Sequence, residues 1–287
     1  MFSILTPFAR QDARFLLDAY ASFSRSTIEF EWVLQEDGSD PVGIPPEIMV
    51  DPRVRYRANR LQLGAGGSRT LALLRADHDL VILLDADDLL APSALEVYAA
   101  AMKPHHGWAY GQCVAWEQRS VLIERSILPA GEYPAGALLE PARRLGHLPL
   151  YSLPGCYRRS LLDAIGGWPS LPRDEDTSVQ LQACATTPGA ILEEVTYIKR
   201  QHPDRTSVQP WMDSLRKECR TLVLRRLGLD LAEWENWVAG GAPTAELYTR
   251  EPYEQIPRPA SICPRCTKVH NVVWCPYCGE RTHLSYE

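Results

Sequence analysis

Apolar positions over the first 110 residues fall into short runs parted by polar turns and by segments of helical period. Phe2 to Thr6 is an apolar run stopped at Pro7, and within 11–23 Phe15, Leu16, Tyr20 and Phe23 recur at helical spacing. Phe30 to Leu34 is a second run, closed by the turn residues Gln35-Glu36-Asp37-Gly38-Ser39-Asp40. Val54 to Tyr56 reads as a short strand ahead of the cluster Gly64-Ala65-Gly66-Gly67, and a helix is expected from Ser68 to about Arg75. Leu80 to Leu84 is apolar throughout and ends on Asp85-Ala86-Asp87-Asp88. Pro92-Ser93 opens the next helix, with Ser93 and Glu96 spaced as a capping box. Strand–helix alternation with buried apolar strands predicts an α/β fold, a mostly parallel sheet flanked by helices.

The pattern is less regular beyond this point. Trp108 to Trp116 reads as a strand, while 120–155, rich in Pro, Gly and Leu, yields no assignment. Leu161 to Ile165 ends a helix at Gly166-Gly167-Trp168, and Pro172-Arg173-Asp174-Glu175-Asp176 leads into a helix through Cys184. Ile191 to Ile198 is the last strand expected, and 209–238 has helical character. The expected organisation is a domain over 1–205 (halves 1–110 and 111–205), a helical extension over 206–240, a Pro-rich linker over 241–261 and a cysteine-bearing tail over 262–287.

The chain has 287 residues, 45% hydrophobic and 23% charged, enough apolar content for a buried core and against wholesale disorder. A net charge of −6 argues against sequence-independent nucleic-acid binding. No apolar run approaches the roughly 18 residues of a membrane-spanning helix, and the N-terminus lacks the basic and long apolar segments of a signal peptide. Four of the eight cysteines are dispersed (Cys113, Cys156, Cys184, Cys219), as buried free thiols in a reducing compartment are. The expectation is a soluble, cytoplasmic protein.

Three turns carry candidate chemistry. Asp85 and Asp87 follow buried strand residues, where open α/β sheets bind ligands, and paired carboxylates there suit Mg²⁺ or Mn²⁺. A solvated acidic turn capping the next helix is the equal alternative. Asp37 lies beyond another strand and can accept hydrogen bonds from a base or sugar, although D-G-S is also ordinary turn chemistry. Gly64-Ala65-Gly66-Gly67-Ser68-Arg69 would let phosphate approach a helix N-terminus, with Arg69 as a cation, yet it fits neither a dinucleotide fingerprint nor a P-loop.

Taken in order, S-I-L-T-P, E-D-G-S-D, G-A-G-G-S-R and L-L-D-A-D-D-L-L-A-P resemble the nucleotide-sugar half of the family 2 GT-A glycosyltransferases. Gly155 to Leu162, Gly166-Gly167-Trp168, Glu175-Asp176 and Tyr197 to His202 are similar to the acceptor half, so the resemblance spans roughly 1–205. It implies a GT-A (nucleotide-diphospho-sugar transferase), Rossmann-like fold and an inverting transfer of sugar from a nucleotide-diphosphate donor to a hydroxyl-bearing acceptor. Thr6 and Pro7 would then line the base pocket, Asp37 would bond the nucleobase, and Arg69 would approach base or phosphates. Asp85 would contact the ribose, Asp87 the Mn²⁺ or Mg²⁺, and His202 would complete the metal or diphosphate site. Asp176 of the Glu175-Asp176 pair would be the general base. Its position near a helix start lowers a carboxylate's pKa while burial and like charges raise it, and sequence does not sign the sum. No Q-x-x-R-W run follows, which argues against a processive synthase.

In the tail, Cys263-Pro264-Arg265-Cys266 and Cys275-Pro276-Tyr277-Cys278 are two C-P-x-C knuckles eight residues apart, the spacing of a Cys₄ site for structural Zn²⁺. They resemble a zinc ribbon, for which docking of a partner protein is preferred over nucleic-acid binding. A non-catalytic GT-A-like domain that binds nucleotide or glycan is the alternative function. A sugar-1-phosphate nucleotidyltransferase is disfavoured, because Thr6-Pro7-Phe8-Ala9-Arg10 stands where its glycine-rich loop belongs. Trp116, Tyr133 and Tyr151 are candidate stacking residues for an acceptor.

Overall fold

The structure, a computed structural model, describes residues 1–38, 40–117, 120–124, 126, 128–145, 150, 155–205, 215–226, 250–252, 261–262 and 269–270. Strands β1 (Phe2–Phe8), β2 (Phe30–Glu36), β3 (Val54–Ala58) and β4 (Leu80–Leu83) pair in parallel in the order β3-β2-β1-β4. This half follows the expectation from apolar runs. The sheet as a whole is mixed rather than mostly parallel. A short strand β9 (Gly155–Arg158) inserts antiparallel between β4 and β6 (Trp108–Glu117), so β6 again runs with β4. Strand β10 (Gly189–Arg200) runs parallel to β6 and pairs antiparallel with β5 (Leu89–Leu90) and β8 (Gly131–Tyr133), while β7 (Ser120–Glu124) lies on the other side of β6.

Alternation along the strands divides the core into two layers. Phe2, Ile4 and Phe8 of β1 and Trp32 and Leu34 of β2 pack with α1 (Leu16–Phe23) and α4 (Ala94–Ala101). Leu5, Val33, Val81 and Leu83 face the other way, onto α3 (Gly64–Leu73), α6 (Arg159–Ile165) and α7 (Glu175–Thr186). Trp32 is wholly buried against Phe23 and Tyr20, and truncating such a side chain to Ala costs about 3–5 kcal/mol.

Helix α6 stops where Gly166 takes a left-handed φ of 81° and Gly167 one of 67°, as the G-G-W motif predicts. The Ser93–Glu96 capping box does not form. Ser93 makes no side-chain cap bond, and Glu96 instead accepts the Ser26 hydroxyl at 2.8 Å. Stretch 120–155 contributes β7, β8 and a helix α5 (Leu139–Leu145). A short helix α2 (Pro46–Met49) precedes β3, and α8 (Arg216–Arg226) lies within the expected helical extension. Arg250–Pro252, within the expected linker, forms a strand β11 on β7, and Ser261–Ile262 (β12) pairs antiparallel with Val269–His270 (β13). Cys263, Cys266, Cys275 and Cys278, and so the expected zinc ribbon, lie outside the described residues, as does Tyr151. Cys113, Cys156, Cys184 and Cys219 are free and buried, as expected. Among the described residues no helix is long and apolar enough to cross a membrane.

Candidate active site

The acidic turn after β4 is held by the end of β10. The Asp85 N–H donates to the Tyr197 hydroxyl at 3.2 Å, and that hydroxyl donates to Asp88 Oδ2 at 2.8 Å. The Arg200 N–H donates to Asp88 Oδ1 at 2.8 Å, and Arg200 Nε donates to the Asp87 carbonyl at 2.9 Å. Asp88 is thereby committed to the scaffold. Burial, then the charges of Asp87 and Asp85, push its carboxyl up to about 8. His202 Nε2 stands 2.9 Å from Asp87 Oδ2, the juxtaposition implied for the pair, and its buried Nδ1 has no hydrogen-bond partner.

Arg69 links this turn to the second acidic group. It is 4% exposed, and its Nη2 donates to Asp85 Oδ1 at 2.7 Å while its Nη1 donates to Glu175 Oε1 at 2.6 Å. Burial opposes the Asp85 charge, but Arg69, aided by Arg205 and Lys199, outweighs it and holds that carboxyl below its usual range. The guanidinium is in turn driven upward by Asp85, Glu175 and Asp176 against the cost of its burial. Both arms of Arg69 are thus occupied by carboxylates.

Glu175 and Asp176 open α7. Asp174 occupies the N-cap with a left-handed φ of 60°, a conformation Asp tolerates better than most residues, and makes no side-chain cap bond. Asp176 Oδ1 accepts the Thr177 N–H at 2.6 Å. Burial and the Glu175 charge nevertheless raise the Asp176 carboxyl to about 7, outweighing Arg69 and the helix start. The sign left open by sequence is upward.

The glycine cluster serves packing. A Cβ on Gly66 would lie 2.1 Å from the Pro169 carbonyl oxygen, and one on Gly67 would lie 2.9 Å from Ser170 Oγ. Thr70 clasps the same loop, donating to the Trp168 carbonyl and accepting its N–H, both at 2.8 Å. Close approach of α3 to 167–171 is therefore what sets Arg69 against Glu175. The N-terminus of α3, expected as a phosphate site, is already served by Asp37. Asp37 accepts the Leu63 N–H at 2.7 Å and the Gly64 N–H at 2.9 Å, together with Asn59 Nδ2 at 3.0 Å. Thr6 and Pro7 are buried in β1, and the Thr6 hydroxyl accepts the Trp32 indole N–H at 2.8 Å.

Sequence reasoning missed three groups at this site. Asp12 sits in the 3₁₀ turn Arg10–Phe15 after β1, and burial followed by the charges of Asp87 and Asp85 raises it to about 6. Arg205 is 8% exposed, donates to the Arg200 carbonyl at 2.6 Å and is coupled electrostatically to Asp85, Asp87 and Asp88. Asp88 completes the acidic group. The D-A-D-D string placed it beside the ligands, but its partners lie on β10. Of the expected stacking residues, Trp116 carries the Arg200 guanidinium at 4.7 Å from its ring centre, and Tyr133 donates to the Pro129 carbonyl at 2.7 Å.

Ligand oxygens of Asp85, Asp87 and Asp88 lie within 4.8 Å of one another, close enough to share one cation. Carboxylate oxygens suit Mg²⁺ or Mn²⁺, and His202 adjoining Asp87 offers a nitrogen. Asp88 has both oxygens engaged, by Tyr197 and Arg200, whereas the contacts of Asp85 with Arg69 and of Asp87 with His202 each take one oxygen, so Asp85 and Asp87 are the carboxylates that could hold it.

The family model "Glycosyl transferase family 2" matches residues 3–166. Among solved structures, TarS 1–349 of S. aureus in complex with UDP-GlcNAc is 19% identical with a TM-score of 0.60, covering 83% of this chain and 70% of that one. The same TarS segment in complex with UDP is 20% identical with a TM-score of 0.58 and covers 83% and 70%. The mannosyltransferase PcManGT from Pyrobaculum calidifontis, in complex with GDP-Man and Mn²⁺, is 15% identical with a TM-score of 0.49 and covers 85% and 75%. A search of curated proteins finds no match. The TarS likenesses show a shared fold.

Proposed function

Because this chain belongs to glycosyl transferase family 2, and is a glycosyltransferase, we propose that it moves a sugar from a nucleotide-diphosphate donor to a hydroxyl-bearing acceptor with inversion, using Asp176 as the general base. The observation that carries this reading is the Arg69 bridge. It draws Asp85, at the end of β4, and Glu175, at the start of α7, onto one buried guanidinium. In this reading the donor-side acid and the candidate base pair are joined through one residue.

In this reading Asp37, with Thr6 and Pro7 behind it, borders the base and Asp85 the ribose. Asp87 and His202, with Asp85, would hold Mn²⁺ or Mg²⁺, which supplies positive charge for the leaving diphosphate. The Asp176 carboxylate takes the proton of the acceptor hydroxyl, whose oxygen bonds to the anomeric carbon as the bond to phosphate breaks on the opposite face. The bonding pair leaves with the nucleoside diphosphate, and the sugar inverts. A TarS fold occupied by UDP-GlcNAc supports a nucleotide-sugar donor. The tail cysteines Cys263, Cys266, Cys275 and Cys278 are read as a structural Zn²⁺ site that docks a partner protein, and the chain as cytoplasmic.

The test is thermal unfolding with UDP, GDP, dTDP, CDP and ADP, with and without Mn²⁺, for the wild type and Asp87→Ala. Ligand at about 100 times its Kd stabilises by about 2.7 kcal/mol, which raises the midpoint by roughly 5–11 °C. A shift with one diphosphate that needs both Mn²⁺ and Asp87 is expected. No shift with any of the five would overturn the donor site.

A further inference from the structure

At the opposite edge of the sheet, three side chains unrelated to the cleft converge. The turn 102–107 between α4 and β6 carries His105 and His106, and β8 carries Glu132. Trp108 at the start of β6 is level with Tyr157 of β9, and Tyr157 with Val81 near the start of β4, so this group sits at the amino ends of strands whose carboxyl ends hold the acidic turn.

His106 is 1% exposed. Its Nδ1 lies 3.1 Å from the Ala101 carbonyl oxygen, which only accepts, so Nδ1 carries a proton and, in the neutral ring, Nε2 is the nitrogen with the lone pair. That Nε2 is buried and has no hydrogen-bond partner. Glu132 Oε2 lies 3.7 Å from it and also 3.7 Å from His105 Nε2. The other carboxylate oxygen, Oε1, is held by Lys103 Nζ. The two imidazole rings stand 4.4 Å apart at 72°, edge to face.

We propose that His105, His106 and Glu132 form a Zn²⁺ site that ties the α4–β6 turn to β8. A tetrahedral zinc with bonds of roughly 2.0–2.1 Å places its ligands about 3.3 Å apart, so the two 3.7 Å glutamate–histidine spacings shorten by a few tenths of an ångström on binding, while the ligand atoms of the whole group lie within 4.8 Å of one another. Two imidazoles and one carboxylate are zinc chemistry, whereas Mg²⁺ and Ca²⁺ take oxygen sets. The Ala101 carbonyl fixes the His106 tautomer as outer partners of metal-bound histidines do, and Lys103 orients the carboxylate. Arg158 secures the turn from β9, donating to the His106 carbonyl at 3.0 Å and the Lys103 carbonyl at 2.8 Å. Three protein ligands leave a fourth position for water.

The experiment measures zinc per chain and Zn²⁺ affinity on the full-length protein after dialysis into metal-free buffer. It compares the wild type with His105→Ala and Glu132→Gln, both exposed positions whose replacement spares the core. Because the tail brings thiolates of its own, the quantity read is the difference between wild type and variants. One zinc equivalent present in the wild type and lost, or weakened at least about 100-fold, in both variants is expected. Equal zinc content and affinity in all three proteins, or no zinc in the wild type, would overturn the site and leave a histidine–glutamate ion pair.

Discussion

Replacing Arg69 by Met tests how the cleft is held together. The side chain keeps an unbranched apolar stem but loses its charge and both arms, stranding Asp85 and Glu175 beside the half-buried Asp176. Removing one partner of a buried ion pair costs about 3–5 kcal/mol, because the abandoned charge stays out of water. At roughly 2–4 °C per kcal/mol the midpoint falls by about 6–20 °C at pH 7. The sign of its pH dependence follows from the carboxyls. In the wild type Asp85 titrates below its usual value, so its contribution is present at neutral pH and is lost as pH falls through that lowered value. In the variant, burial acts on Asp85 against the weaker pull of Arg205 and Lys199 alone, and that cost is largest at neutral pH and vanishes below about pH 4. Both effects make the deficit shrink on acidification. Urea unfolding at pH 7 and at about pH 3.5 measures it, with Arg69→Lys retaining charge without the two-armed fork. A deficit under about 1 kcal/mol at pH 7, or one independent of pH, would refute the reasoning.

Asp176→Asn should lower kcat by about 10²–10⁴-fold while leaving nucleotide diphosphate binding unchanged, as read by turnover and calorimetry; equal turnover removes Asp176 as the base. In the wild type, kcat should rise with pH through about 7, because the base works only once ionised, and a flat profile from pH 5.5 to 8.5 counts against that assignment. Gly66→Ala forces a methyl group onto the Pro169 carbonyl and the loop leading to Glu175, so a loss of about 1–3 kcal/mol together with reduced kcat is expected by denaturant unfolding and assay. A stable, fully active variant would show that α3 and this loop need not be so close.

Legibility in the sequence tracked how local each cause was. Strands β1, β2 and β4 stood out because burial on both faces leaves largely apolar runs, unbroken in β4 and interrupted by Ser3 and Thr6 in β1 and by Glu31 in β2. Strand β9 did not, since Gly155-Cys156-Tyr157-Arg158 is too short for a period, and its insertion is what turns a parallel sheet into a mixed one. The resemblance singled out Asp85, Asp87, Glu175, Asp176 and His202, and His202 lies against Asp87, but the pairing of Arg69 with Asp85 and Glu175 was not among its implications. The roles of Gly66 and Gly67 depend on Pro169 and Ser170, about a hundred residues away, and no local pattern announces that contact. Asp12, Asp88 and Arg205 belong to the site through burial and neighbours, properties that chain order does not display.

The insertion of β9 also has a consequence for how the chain is made. Strand β4 finds β1 already synthesised on one side, but its other neighbour begins at Gly155, roughly 70 residues later. At about 5–20 residues per second the ribosome takes about 4–14 s to deliver it. Throughout that interval Leu80, Val81 and Ile82, the residues that β9 pairs, lack that partner and leave an apolar edge of the kind that recruits other chains. The cleft matures later still, because Glu175 must emerge before Arg69 has its second carboxylate. A nascent chain halted before Gly155 therefore carries both an unfinished sheet and a cation awaiting its partner.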